Sequence, residues 1–149
     1  MDAANTMLLG HVTWQQFAGF WPSQSPADDL LARYMNDIPK LIVSNTLRDV
    51  SAWHNSFLLS GDVYGALRQI KEQPGNTKNI GITGSGELTR TLLRDGLLDE
   101  LHLLVQPIAV GTGKRLFPDG FGQLPLALVE SETFPTGVLY LTYRRAATA

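Results

Sequence analysis

Apolar residues recur along this chain in two rhythms. From Asp62 to Glu72, Val63, Ala66, Leu67 and Ile70 stand at i, i+3, i+4 and i+7, the single stripe of an amphipathic helix. Asp62 or Ser60 can cap its start, and Pro74-Gly75 stops it. Glu87 to Arg94 predicts a second helix, turning Leu88, Leu92 and Leu93 inward and ending at Asp95-Gly96. A weaker helical pattern covers Pro26 to Asn36, through Leu30, Leu31, Tyr34 and Met35. Trp14, Phe17, Phe20 and Trp21 cluster around a further helix, where core packing is the simplest use for such rings and a stacking surface the alternative.

The other rhythm is one of short apolar runs, each closed by glycine, serine or another polar breaker. Thr6–Leu9, Leu41–Ser44, Phe57–Leu59 and Asn79–Thr83 are of this kind, and their length favours strands over helices. In Leu101–Gln106, Leu101, Leu103 and Val105 share one face. Ala127–Thr133 and Val138–Arg144 bracket Phe134-Pro135-Thr136-Gly137 as an antiparallel hairpin. Strands alternating with helices predict βαβ units and an α/β fold built on a mainly parallel sheet. The C-terminal hairpin is expected to add antiparallel strands at one edge, giving a mixed sheet. Trp21–Asp28, with Pro22 and Pro26, reads as a surface loop within one domain rather than a linker.

Composition narrows the chemistry. The 149 residues contain no cysteine, which removes disulfide scaffolds, thiolate catalysis and cysteine–zinc sites. Twelve basic residues stand against fourteen acidic ones, so no sequence-wide basic field supports nucleic-acid binding. No apolar stretch approaches the roughly 20 residues of a membrane span, and the N-terminus lacks the basic start of a signal peptide. The expectation is a soluble, cytoplasmic single domain.

The segment Asn79-Ile80-Gly81-Ile82-Thr83-Gly84-Ser85-Gly86-Glu87-Leu88 reads as strand, glycine turn and helix start. Glycines let a ligand approach the backbone, and a helix N-terminus offers unpaired N–H groups at a positive dipole end. A pyrophosphate fits such a turn; so does a tight βα connection that binds nothing. The segment is not the Rossmann fingerprint, because the third glycine of G-x-G-x-x-G is missing and no acid follows about 20 residues on. Gly111-Thr112-Gly113-Lys114-Arg115 fails as a P-loop and reads as a basic surface loop. No G-x-S-x-G elbow supports hydrolysis. The histidines at 11, 54 and 102 have no metal-binding spacing. His54 and His102 read as solvated, whereas His11 directly follows a strand, where α/β sites are built. Asp99-Glu100 reads as a solvated turn.

Three segments together resemble the dihydrofolate reductase superfamily. Leu8-Leu9-Gly10-His11-Val12-Thr13-Trp14 is similar to its strand-to-helix G-R-x-T motif, Ile42-Val43-Ser44-Asn45-Thr46-Leu47 to its next strand, and Ile82-Thr83-Gly84-Ser85-Gly86-Glu87-Leu88 to its glycine turn. The order of the later segments, Leu92–Leu103, Val110–Pro118 and the Phe134–Val138 hairpin, is most similar to the reductase domain of bacterial riboflavin biosynthesis proteins. The resemblance implies a mixed, mainly parallel sheet flanked by helices and NADPH as cofactor. It also implies hydride transfer to a pterin-like or ribosylaminopyrimidine-like substrate. Carried over by position, Gly10, His11 and Thr13 would lie beside the cofactor phosphates. Ser44, Asn45 and Thr46 would approach the adenosine 2′-phosphate, and Gly84, Ser85, Gly86, Glu87 and Leu88 would cradle the pyrophosphate.

Two departures from the family pattern carry expectations. His11 replaces a common arginine, implying a weaker preference for NADPH over NADH and binding that improves at lower pH. The resemblance also sets Met1–Asn5 just before the family's second main strand, so the first strand and its loop have no counterpart here. A homodimer with strand exchange would cover the exposed sheet backbone, and a non-catalytic nucleotide-binding or protein-interaction module is the alternative to a reductase. The resemblance assigns no catalytic residue.

Overall fold

The computed structural model describes residues 4–25, 29–73 and 79–146. The chain forms two compact units, residues 1–89 and 90–149. In the first, β1 (Thr6–Gly10) leads directly into α1 (His11–Ala18) and a short 3-10 turn at Trp21–Ser23, followed by α2 (Leu30–Asp37) and β2 (Lys40–Val43). Then come β3 (Ser56–Leu59), α3 (Val63–Glu72), β4 (Ile80–Ile82) and α4 (Gly86–Arg94), whose first turn belongs to this unit. The strands make an all-parallel sheet in the order β3-β2-β1-β4. Leu8 pairs with Leu41 on one side and with Ile82 on the other. β1 is thus an interior strand, paired on both edges, and Met7, Leu8 and Leu9 are all buried, as a strand covered on both faces requires.

The core gathers Met7, Leu9, Trp14, Met35, Ile38, Ile42 and Trp53. Phe17 meets Trp21 and Trp53 edge-on, with ring centroids 6.5 and 6.3 Å away. Most of the aromatic cluster therefore serves packing, while Phe20 stays about half exposed. The indole N–H groups find acceptors in Ser56 Oγ (3.1 Å, from Trp14) and Asn36 Oδ1 (2.8 Å, from Trp53). Helix starts follow capping chemistry: the Asp29 carboxylate accepts from the Leu31 N–H at 2.8 Å, and that of Asp62 from the Gly65 N–H at 2.9 Å. Asp62, not Ser60, is the cap of α3. The expected stop at Pro74-Gly75 and the expected helix start at Pro26 lie outside the described residues.

The second unit holds β5 (Glu100–Val105), β6 (Leu126–Thr133) and β7 (Leu139–Arg145) in an antiparallel sheet of order β5-β7-β6. The hairpin turn closes through the Phe134 N–H to the Val138 carbonyl (2.9 Å) and the Gly137 N–H to the Phe134 carbonyl (2.8 Å). α4 ends where Gly96 takes φ +71°, with the Leu97 N–H reaching back to the Leu92 carbonyl at 2.8 Å, a left-handed helix stop. The α/β class, the mainly parallel sheet and its flanking helices are as expected. One detail is corrected: the hairpin does not extend the parallel sheet but joins β5 in a sheet of its own. The reason lies in the pairing, since β7 takes all six residues of β5 on one edge. Among the described residues no strand pairs with the outer edges of β4 or β5.

Candidate functional site

Parallel strands send their C-terminal ends into one set of turns, and open α/β sheets build their sites there. At the end of β1, Gly10 caps α1 with an extended backbone and no side-chain cap bond, leaving donors of the first helical turn exposed to a ligand. At the end of β4, Gly84 (φ +65°) and Ser85 (φ +48°) both occupy the left-handed region. A Cβ on Gly84 would sit 3.4 Å from Thr13 Cγ2 and is conformationally disfavoured as well. Ser85 has a Cβ and bears the strain, held there by two bonds.

Those bonds clasp the two turns. The Gly10 N–H donates to Ser85 Oγ at 3.0 Å, and the Ser85 N–H donates to Thr13 Oγ1 at 3.2 Å. The Ser85 carbonyl then accepts from the Thr89 N–H at 3.0 Å, opening α4, and Thr89 Oγ1 donates back to the Gly84 carbonyl at 3.2 Å. Two helix N-termini are thereby fixed side by side, each with its positive dipole end at the turn. Gly86 and Glu87 are exposed at the start of α4, while the Leu88 side chain is buried. Leu88 belongs to the packing, and only its backbone is available to a ligand.

Ser44, Asn45 and Thr46 follow β2. Ser44 is buried, and its Oγ accepts the N–H groups of Thr46 (3.1 Å) and Leu47 (3.0 Å). Thr46 Oγ1 lies 3.3 Å from Ser44 Oγ and 3.3 Å from His11 Nδ1. His11 Nε2 is buried without a hydrogen-bond partner. Asn45 Oδ1 accepts the Gly61 N–H at 3.2 Å, tying the β2 turn to the one after β3. The structure thus brings Gly10, His11 and Thr13 together with Ser44 and Thr46 on one side, and with Gly84 and Ser85 on the other. These groups fit a dinucleotide: glycine backbone and helix N-termini suit a diphosphate, and small hydroxyls suit a ribose.

The remaining candidates fall elsewhere. His54 is exposed in a turn. His102 is exposed, as expected, and it is also hydrogen-bonded: Tyr140 Oη and Thr142 Oγ1 lie 2.8 and 3.1 Å from its Nδ1, and Glu100 Oε2 lies 3.3 Å from its Nε2. Arg144 holds the other Glu100 oxygen through Nε and Nη2, at 3.0 and 2.6 Å. That guanidinium keeps the Glu100 carboxyl below its ordinary pKa. The cluster arises because Glu100, His102, Tyr140, Thr142 and Arg144 share one face of the β5–β7 pair, a register that spacing within either strand does not reveal. Gly111–Arg115 is an exposed loop, with Arg90 Nη1 donating to the Arg115 carbonyl at 3.1 Å. Among the described residues, no cluster of three or more metal-ligating side chains exists, and no helix is long and apolar enough to cross a membrane.

Comparison with known proteins bears on the fold and the family. The fold is similar to that of a putative riboflavin biosynthesis protein from Shewanella sp. PV-4. The TM-score is 0.76 at 22% identity, over 99% of this chain and 77% of that one. It is also similar to Acinetobacter baumannii RibD, with TM-score 0.64 and 15% identity over 96% of this chain and 47% of that larger one. Among curated sequences, an uncharacterized protein of Bacillus subtilis (strain 168), YyaP, is 25% identical over 145 residues, covering 96% of this chain and 75% of its relative. The RibD C-terminal domain family matches residues 1–140, and the chain belongs to that family.

Proposed function

We propose that this chain is an NADPH-binding, reductase-type domain acting on a ribosylaminopyrimidine-like or pterin-like small molecule. The observation that carries the reading is the clasp between the Gly10–Thr13 and Gly84–Gly86 turns. It holds two helix N-termini and an unhindered glycine backbone where a diphosphate needs donors. Gly10, Thr13, Gly84, Ser85 and Gly86 would bind the diphosphate, with Glu87 at the entrance to α4. Ser44, Asn45, Thr46 and His11 would meet the adenosine ribose. The bound cofactor would supply a hydride to a carbonyl or imine carbon, and the residues named here bind and orient it. Membership in the RibD C-terminal domain family supports the substrate class, as does the fold shared with a pyrimidine reductase-like protein of Corynebacterium diphtheriae (TM-score 0.55, 14% identity).

The test is a coupled pair of measurements on the purified chain. NADPH should raise the melting temperature, and absorbance at 340 nm should fall when a phosphoribosylaminouracil is added. Stabilisation without oxidation would leave a nucleotide-binding module, and no stabilisation at millimolar NADPH would refute the reading.

A further inference from the structure

We propose that the ribose end of this site does not select for a 2′-phosphate, and that the chain binds NADH about as well as NADPH because His11 is an uncharged hydrogen-bonding group. The proposal rests on the dinucleotide reading above and concerns which dinucleotide the site accepts.

Recognition of a phosphate dianion draws on cations or on charge-assisted hydrogen bonds, for which arginine is the best suited side chain. The side chains at the ends of β1 and β2 are His11, Ser44, Asn45 and Thr46. None is a lysine or arginine.

The surroundings of the His11 ring disfavour a cation there. Ser44 Oγ accepts two backbone N–H groups, so its own hydrogen goes to Thr46 Oγ1, 3.3 Å away. Thr46 Oγ1 in turn lies 3.3 Å from His11 Nδ1, and either group can donate across that contact. His11 Nε2 is buried and has no hydrogen-bond partner in the protein. A cationic ring carries an N–H on both nitrogens and would bury a charged donor at Nε2 with no acceptor. A neutral ring avoids that cost and adds no charge toward a phosphate. Arg48, two residues past Thr46 and exposed, is the nearest cation along this turn and therefore the control.

Calorimetric titration of the wild-type chain with NADH and with NADPH at pH 7.5 is the test, with adenosine 5′-monophosphate and adenosine 2′,5′-bisphosphate as shorter probes. The two dinucleotides should bind within about fivefold of each other. His11→Arg should tighten NADPH by about tenfold and leave NADH unchanged, the increment of one charge-assisted contact. A wild-type preference for NADPH of about fiftyfold or more would overturn the proposal, most clearly if Arg48→Ala abolished it. Binding of neither dinucleotide would remove the cofactor reading itself, and this inference with it. If His11→Arg failed to fold, as judged by its melting curve, the wild-type ratio would still decide.

Discussion

At the scale of the residue, the least anticipated feature is Lys40. It opens β2 with no measurable exposure. Its Nζ donates to the Ile38 carbonyl (2.7 Å) and the Asn36 carbonyl (3.0 Å), and it lies 4.5 Å from the Trp53 ring centroid. Burial lowers its pKa from 10.5 to about 8, against the raising influence of Asp37. Below pH 8 the folded and unfolded chains both carry the proton, and the full cost of the buried charge is borne. As pH rises above 8 the folded chain releases the proton while the unfolded chain keeps it, so stability should increase, by about 2 kcal/mol toward pH 10. Tyr34, whose pKa burial raises above 10, opposes this only at still higher pH. Chemical denaturation between pH 7 and 10 should show the rise in the wild type and a flat difference profile for Lys40→Met. A rise of equal size in the variant would assign the effect elsewhere. Lys40 was not legible as a buried group, since a lysine at the head of an apolar run reads as its polar boundary. Trp53 was equally hidden in a polar turn with no periodicity around it. His11, by contrast, stood out in the sequence because it follows β1 directly. Its unpartnered Nε2 did not, since that depends on what surrounds the ring.

Among the elements, the strands were the most legible. Each short run between breakers became a strand, within a residue or two of its expected ends. β4 is the shortest, with Ile80–Ile82 forming the paired core of the expected Asn79–Thr83. The helices followed their stripes and caps. What periodicity could not show is which strand pairs with which, because alternation fixes a strand's faces and not its neighbour. That is why the β5–β7–β6 sheet, and the Glu100–His102–Tyr140 cluster its register assembles, came only from the structure. Asp62→Ala should cost about 1 kcal/mol by removing the α3 cap. Gly96→Ala should cost about 1–2 kcal/mol through its left-handed backbone, while the Arg145 guanidinium near its Cβ direction can move aside. Urea unfolding of both variants measures this, and a Gly96→Ala chain as stable as wild type would contradict the assigned helix stop.

At the scale of the molecule, the candidate site was legible as three separate motifs, and the structure shows how the first is joined to each of the other two. Nothing in the sequence indicated that the Ser85 N–H would donate to Thr13, 72 residues away, across the turns. The outer edges of β4 and β5, unpaired among the described residues, motivate the proposal that a second copy of the chain covers exposed strand backbone. Gel filtration should then place the protein at about twice its 16.4 kDa mass, and a monomer at all concentrations would dismiss it.

We propose that the turns at Gly10–Thr13 and Gly84–Gly86 hold the cofactor's diphosphate. Titrating an isotopically labelled sample with NADPH and following its amide resonances tests this directly. The largest shifts should fall on Gly10, Thr13, Gly84, Ser85 and Gly86, with smaller ones at Ser44–Thr46. Saturating NADPH that leaves these amides in place, or that shifts only residues of the β5–β7–β6 sheet, would contradict the account.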